Sequence, residues 1–406
     1  MEGYLIIADD FTGANDTGVQ LKKRGINTEV IFNIDGISNA SNNNSYVIDT
    51  ESRGLTEREA YEKVKRDIKQ LSNYQFQFIY KKVDSTLRGN ISAEVKAIDE
   101  EYKPEIIIFV PAFPVTGRTT LDGIHRLNGK RILDTEIAKD PKNPVIEDNI
   151  CILLQKCFEE KVIHYNISEI RDDKIDLNNG RIYSFDVENN DDMIKIVSEV
   201  LVTGKKTLWV GSAGMADTIF KIKNPFKPCI CMVGSISDVS TKQLKYAEKK
   251  GIEVMKVSID RILNGEDENH YVQYGKSVLI SHKDLIITSA YNREDYDKAI
   301  QAGKEKGMTR EEVSQYTQKI LGNILDKIVG KVEISGVFLT GGDTAIGFIN
   351  NTGAICFNII EEIMTGIPLM KLKGGKYHGL KVITKAGAFG EENAIYYCMK
   401  KIKENI

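Results

Sequence analysis

The chain reads as an α/β protein of two domains, each a largely parallel sheet flanked by helices. Three observations predict this. Short apolar runs alternate with helical periodicity over most of the length, as strand–helix–strand units of a parallel sheet do. At 406 residues the chain is too long for one ordinary domain. The segment Asn224-Pro-Phe-Lys-Pro228 then interrupts the alternation. Its two prolines favour extended chain and stop the preceding helix. Domains are therefore expected over 1–223 and 229–406.

In order, Tyr4–Ala8, Thr28–Phe32, Tyr46–Asp49, Phe78–Lys82 and Glu105–Val110 read as strands. Helices are expected over 12–24, 56–71 and 91–101. The second opens with a capping box, Thr56-Glu-Arg-Glu59. The Asn-rich tract Asn39–Asn44 is a polar turn. Pro111–Lys130 shows no periodicity and reads as a long functional loop. Strands resume at Val162–Asn166, Arg181–Asp186 and Thr207–Val210. Beyond the prolines, Cys229–Val233 is a strand, and Ser240-Thr-Lys-Gln243 reads as a capping box opening a helix to about Lys250. Strands are expected near 253–257, 277–280, 284–289, 336–339 and 380–384. Thr309-Arg-Glu-Glu312 caps a helix running to about Val329. No repeat of 20–50 residues is present.

Composition narrows the classes. A net charge of −3 supplies no basic field for nucleic acid or membrane as a partner. No run of eighteen apolar residues predicts a membrane span. The N-terminus enters a strand at once, so no signal peptide is expected. Six cysteines are scattered without paired metal spacing. Cys229 and Cys231 fall on one face of a strand, as buried reduced thiols would. A cytoplasmic protein is expected. The five histidines form no HExxH pair and read as structural or solvent-facing.

The first chemical cluster follows the first strand: Asp9, Asp10, Gly13 and Asp16 within Ala8-Asp9-Asp10-Phe-Thr-Gly13-Ala-Asn-Asp16. Ligands of open α/β sheets bind outside the carboxyl ends of strands, and buried carboxylates need partners. Helix capping is the alternative reading. A second cluster, Lys82-Val83-Asp84-Ser85-Thr86-Leu-Arg88, lies at another strand end, and Arg53 at a third. Arginine offers a planar fork to a carboxylate, and Asp and Ser suit hydroxyls. The mixture fits a small polyhydroxy acid, against the alternative of a surface ion-pair network.

Three Gly turns follow strands in the second half. They are Val233-Gly234-Ser235-Ile-Ser237, Thr340-Gly341-Gly342-Asp343-Thr344 and Lys385-Ala-Gly387-Ala-Phe-Gly390. Such turns expose N–H groups to phosphate and let a backbone approach a ligand; capping alone is the alternative. Two look-alikes are set aside. Gly275-Lys276-Ser277 lacks the upstream glycine of a Walker loop and is expected before a strand. Gly211-Ser212-Ala-Gly214 lacks the first glycine of a nucleophile elbow.

Asp9-Asp10-Phe-Thr-Gly-Ala-Asn-Asp, Lys82-Val-Asp-Ser-Thr-Leu-Arg-Gly-Asn, Gly234-Ser-Ile-Ser and Gly341-Gly-Asp-Thr together resemble the four-carbon acid sugar kinase family. Their order and spacing cover nearly the whole chain. The resemblance implies ATP-dependent phosphorylation of the terminal hydroxyl of a threonate-, erythronate- or 3-oxo-tetronate-type acid. It implies a sugar-acid domain first and a nucleotide domain second. Asp10, Arg53, Lys82, Val83, Asp84 and Ser85 then correspond to substrate contacts. Ser235 or Ser237, with Gly341, Gly342, Asp343, Thr344 and Gly387, correspond to ATP contacts. Asp343 stands where some relatives carry Glu.

On this reading Arg53 and Lys82 hold the substrate carboxylate. Asp84 or Asp10 orients or deprotonates the hydroxyl, and Asp343 acts through Mg²⁺ or at the transfer centre. The sequence leaves these roles open, and the Mg²⁺ ligands unassigned. Domain closure is expected, because an open site favours hydrolysis. A homo-oligomer is compatible with all of this. Two alternatives are a non-catalytic sugar-acid sensor and a nicotinamide-dependent oxidoreductase, although no GxGxxG follows a strand.

Overall fold

The computed structural model describes residues 3–34, 44–71, 76, 78–234 and 236–405, apart from the Asp343 side chain. Ser235 and all of the expected polar turn except Asn44 lie outside the described residues. The chain divides into two compact units, Met1–Pro225 with Ile406, and Phe226–Asn405.

The first unit contains β1 (Tyr4–Ala8), β2 (Thr28–Ile31), β3 (Ser45–Asp49), β4 (Phe78–Lys82), β5 (Ile106–Val110), β6 (Arg118–Leu121), β7 (Ile124–Leu127), β8 (Lys130–Arg131), β9 (Val162–Tyr165), β10 (Ile182–Phe185) and β11 (Thr207–Gly211). Its main sheet has the order β2-β3-β1-β4-β11-β5-β10-β9 and is parallel throughout. Continuous apolar runs explain this, because a sheet covered by helices buries both faces. Ile106, Ile108 and Val110 enter one packed layer, and Ile107 and Phe109 the opposite one. The single tryptophan, Trp209, sits on β11 between β4 and β5 and is only 2% exposed. Its ring stacks on Phe78 at 6.2 Å.

The second unit holds β12 (Ile230–Val233), β13 (Glu253–Lys256), β14 (Leu285–Thr288), β15 (Gly336–Thr340), β16 (Cys356–Met364), β17 (Ile367–Lys373) and β18 (Lys381–Lys385). The order is β13-β14-β12-β15-β18-β17-β16. The first five strands are parallel, and the β16–β17 hairpin is antiparallel. Both sheets reverse direction of growth inside, the first between β1 and β4 and the second between β12 and β15. Ligands of open sheets bind at such switch points.

Three expectations are corrected. Pro111–Lys130 is not an aperiodic loop, because β6, β7 and β8 form a small antiparallel sheet there. Its turns, Asp122-Gly123 and Asn128-Gly129, have positive φ at both residues, the mark of tight two-residue hairpins. The strand near 277–280 is the last turn of the helix Asn269–Ile280. Tyr271, Val272, Gly275, Val278 and Leu279 are buried at helical spacing, so Gly275-Lys276-Ser277 lies inside a helix. The helix expected to open at Ser240 spans Asp238–Lys249 and is capped by Ser237, which accepts from the Ser240 N–H at 3.2 Å.

Candidate active site

The crevice of the first sheet lies at the ends of β1, β3 and β4. Asp9 follows β1 and is 2% exposed, so its charge requires a partner. Arg53, beyond β3, supplies it. Its Nε donates to Asp9 Oδ2 at 2.8 Å and its Nη2 to Oδ1 at 3.1 Å. Nη2 also lies 2.9 Å from Asp10 Oδ1 and 4.0 Å from Asp84 Oδ1. Burial lowers the Arg53 pKa, but the hydrogen bonds to Asp9 and the three carboxylates raise it further. The fork expected to read a substrate carboxylate is thus engaged by Asp9. Asp10 also caps the helix Phe11–Lys23 through the Gly13 N–H at 3.0 Å. Capping and ion pairing coexist. Asp16 is exposed and takes no part.

Lys82 ends β4. Burial lowers its pKa, opposed by Asp9, Asp10 and Asp84. Its Nζ donates to the Val83 carbonyl at 3.1 Å. A Cβ on Gly13 would stand 2.6 Å from Asp10 Oδ1 and 2.9 Å from Lys82 Nζ. Only glycine lets these groups meet there. Val83 contributes backbone, its side chain being buried in the core. Asp84 accepts from Arg88 Nε at 3.0 Å, from Arg88 Nη2 at 3.1 Å and from the Thr86 N–H at 3.1 Å. Burial pushes its pKa up, yet Arg88, Thr86 and Arg53 hold it well below the usual carboxylate range. Arg88 also reaches Asp140 at 3.1 Å. The Ser85 carbonyl faces His125 Nε2 at 2.9 Å. The structure therefore brings Asp10, Arg53, Lys82, Val83, Asp84 and Ser85 to one crevice with Asp9, Gly13 and Arg88 of the same clusters, and adds Asp140.

The second unit has a cavity of about 520 Å³ at the β12/β15 switch point, lined by Gly234, Ser237, Gly341, Gly342 and Thr344. Its other wall is apolar, with Ile259, Tyr296, Ile300, Val313 and Leu321 from three helices, joined by Ser289, Thr317 and Gln318. An apolar wall with a few polar groups beside glycine turns is the kind of lining a nucleotide takes. Gly341 has φ +94° and precedes the helix Gly342–Thr352. A Cβ on Gly234 would lie 1.7 Å from Thr344 Oγ1, whereas one on Gly342 would meet nothing within 4 Å.

Gly387 is not among the lining residues. Its carbonyl accepts from Ser237 Oγ at 3.0 Å, Ser240 Oγ at 2.9 Å and Lys385 Nζ at 3.2 Å. Two of the three Gly turns thus face the cavity, and the third is tied behind Ser237. Ser235 and the Asp343 side chain lie outside the described residues. Lys385, named in the sequence only as the start of the third Gly turn, ends β18 as Lys82 ends β4, and each amine turns back on the next residue's carbonyl. The residues of the apolar wall escaped the sequence reading, because apolar helix residues look like core.

Among the described residues no helix is long and apolar enough to cross a membrane. Residues 4–219 match the family model described as a sugar-binding N-terminal domain, and residues 230–395 the one described as a nucleotide-binding C-terminal domain. The chain belongs to the four-carbon acid sugar kinase family. It is 30% identical to a D-threonate kinase of Salmonella typhimurium over 97% of each chain. A D-erythronate kinase of Heliobacterium modesticaldum is 24% identical over 98% of this chain and 97% of its own. A 3-oxo-tetronate kinase of Haemophilus influenzae is 26% identical over 97% and 98%. A solved Bordetella bronchiseptica protein, a domain-swapped dimer with bound citrate, superposes with a TM-score of 0.69 at 25% identity, covering 99% of this chain and 98% of that one. The chain is a sugar-acid kinase, as these curated relatives are.

Proposed function

We propose that this kinase transfers the γ-phosphoryl group of ATP to the terminal hydroxyl of a four-carbon sugar acid, with D-threonate the first substrate to test. The observation that carries the choice is the full-length likeness to the D-threonate kinase. In the first unit, Asp10 is the hydroxyl-orienting carboxylate, being the most exposed of Asp9, Asp10 and Asp84. Asp84, held ionised by Arg88, accepts substrate hydroxyls. Lys82 and the Ser85 hydroxyl complete the contacts. Arg53 positions Asp9 and Asp10. In the second unit, the Gly341-Gly342 turn and Thr344 receive phosphates and the apolar wall the base.

Mg²⁺ neutralises phosphate charge when bound. Among the described residues no group of three His, Cys, Asp or Glu side chains is placed to hold a metal. Mg²⁺ commonly keeps its waters and takes only one or two carboxylates. Asp343 is the candidate carboxylate. Phosphoryl transfer asks mainly for such positioning and charge neutralisation. Self-association is part of the proposal, supported by the dimeric Bordetella protein; light scattering tests it.

The deciding experiment is coupled ADP release over a panel of four-carbon aldonates and their 3-oxo forms. Saturable turnover with D-threonate or another member supports the reading. Tight binding without ADP release would make the chain a sensor, and nicotinamide reduction would make it an oxidoreductase.

A further inference from the structure

Beside Lys82, β4 carries a second lysine that makes no contact in the crevice. Lys81 and Lys82 are neighbours on one strand, so their side chains leave opposite faces of the sheet. Lys81 is 0% exposed, and its Nζ lies 2.5 Å from Oε2 of Glu94, which is 1% exposed on the helix Ile91–Tyr102. Taking two charges out of water is costly, and a well-packed apolar pair in their place is often neutral or stabilising. Stability alone is therefore weak grounds for two ions at these positions.

The other carboxylate oxygen has a partner of its own. Glu94 Oε1 accepts from Ser52 Oγ at 2.7 Å. Ser52 is fully buried and immediately precedes Arg53. A second tie runs from the start of the same helix. Asn90 stands at the N-cap, where asparagine ordinarily caps, yet its side chain makes no cap bond. Its Nδ2 donates instead to the Ser52 carbonyl at 3.0 Å and the Leu55 carbonyl at 2.8 Å. The turn that carries Arg53 is thus fastened to the helix twice. The seat of the fork is also narrow. A Cβ on Gly89 would stand 3.2 Å from Arg53 Cγ and 3.1 Å from Asp9 Oδ2. A shift of the turn would pull the guanidinium off Asp9 and Asp10, which it meets at 2.8 Å and 2.9 Å.

We propose, on the reading of this crevice as the sugar-acid site, that Glu94 is a positioning residue: paired with Lys81, it holds Ser52 and so aims the Arg53 fork at Asp9 and Asp10. An ionised acceptor binds a hydroxyl about twice as strongly as a neutral one, which gives the buried charge its use. Lys81 keeps that charge in place.

Three altered chains test this, each assayed below its melting transition: Ser52→Ala, Lys81→Met together with Glu94→Leu, and all three changes combined. Lys81 and Glu94 are replaced together because one buried charge left alone is strongly destabilising. Ser52→Ala and the neutral pair should each lower sugar-acid kcat/KM about tenfold, with the ATP KM unchanged. The triple chain should fall no further, since residues that act through one contact are not additive. Without any substrate, exchange of the Arg53 and Leu55 amides, which bond the Asp9 and Ser52 carbonyls, should quicken in all three. Undiminished sugar-acid kcat/KM in Ser52→Ala would overturn the proposal. So would a triple chain whose loss is the product of the other two, about a hundredfold. If the neutral pair does not fold, Ser52→Ala decides by itself. If the unaltered chain turns over no four-carbon acid, the functional reading fails and amide exchange decides here, unchanged rates in Ser52→Ala overturning the positioning.

Discussion

Gly342 and Gly234 line the same cavity, but a side chain at each meets something different. Nothing of the protein lies within 4 Å of a Cβ on Gly342, so Gly342→Val intrudes only on space for a ligand. The ATP KM should rise roughly tenfold, the loss of one net hydrogen bond of about 1.4 kcal/mol, with the melting temperature nearly kept. Gly234→Ala should instead unfold more easily by about 1–3 kcal/mol, because its Cβ overlaps Thr344. Paired thermal melts and ATP kinetics check both. For Arg53→Lys, a point charge replaces a fork that holds Asp9. A charge-assisted hydrogen bond is worth about 1.5–3 kcal/mol, so stability and sugar-acid kcat/KM should both fall, with the ATP KM unchanged. Equal losses on the acid and on a neutral four-carbon polyol are expected, since the partners of Arg53 are carboxylates of its own chain. A loss confined to the acid would show that Arg53 reads the substrate. The strand-end residues of this crevice were legible because charge at the end of an apolar strand stands out. The engagement of Arg53 by Asp9 was not. Adjacent aspartates look alike in sequence, and only the fold buries Asp9 and leaves Asp10 to cap a helix.

The β6–β7 hairpin braces the substrate turn through one ring. His125 is buried on β7, with Nε2 at the Ser85 carbonyl and Nδ1 2.9 Å from Thr120 Oγ1. A carbonyl only accepts, so the ring proton is on Nε2 and Nδ1 takes the Thr120 hydroxyl. Burial lowers the His125 pKa from 6.5 to about 4, against smaller opposing effects from Ser85 and Asp84. Between those values the unfolded chain binds a proton that the folded chain refuses. Stability from this group is therefore full above pH 6.5 and declines toward pH 4, by on the order of 3 kcal/mol. His125→Gln keeps the donor to Ser85 and loses the titration, so its urea midpoint should vary less over pH 4–7. An identical slope in both chains would remove His125 as the cause. The hairpins carry a signal in Asp122-Gly123 and Asn128-Gly129, but Pro111–Lys130 reads as a loop because its strands are too short to show a period. The capping boxes at Thr56 and Thr309 were plain. Ser277–Ile280 misled because a short apolar run has no period of its own. The β16–β17 hairpin went unread because its edge strand is largely exposed and lacks a clean alternation.

At the scale of the whole chain, each sheet carries its candidate site at its own switch point, and the family models divide the sequence into the same two kinds of domain. Ligand protection should divide likewise. A ligand at about 100 times its Kd adds about 2.7 kcal/mol to the state that binds it. D-threonate should slow amide exchange around Asp84–Asn90, and ATP around Gly341–Ala345. ATP protection confined to the first unit would contradict the assignment.

The lone indole of Trp209, packed in the first sheet, turns that division into an optical property. Its emission reports the opening of one sheet, and melting restricted to Phe226–Asn405 leaves it unchanged. A urea titration read at the indole wavelength thus follows the sugar-acid half by itself. Scaled to fraction unfolded and laid against the far-ultraviolet dichroism of the same sample, it exposes any transition that belongs to the nucleotide half, with no label and no cut in the chain.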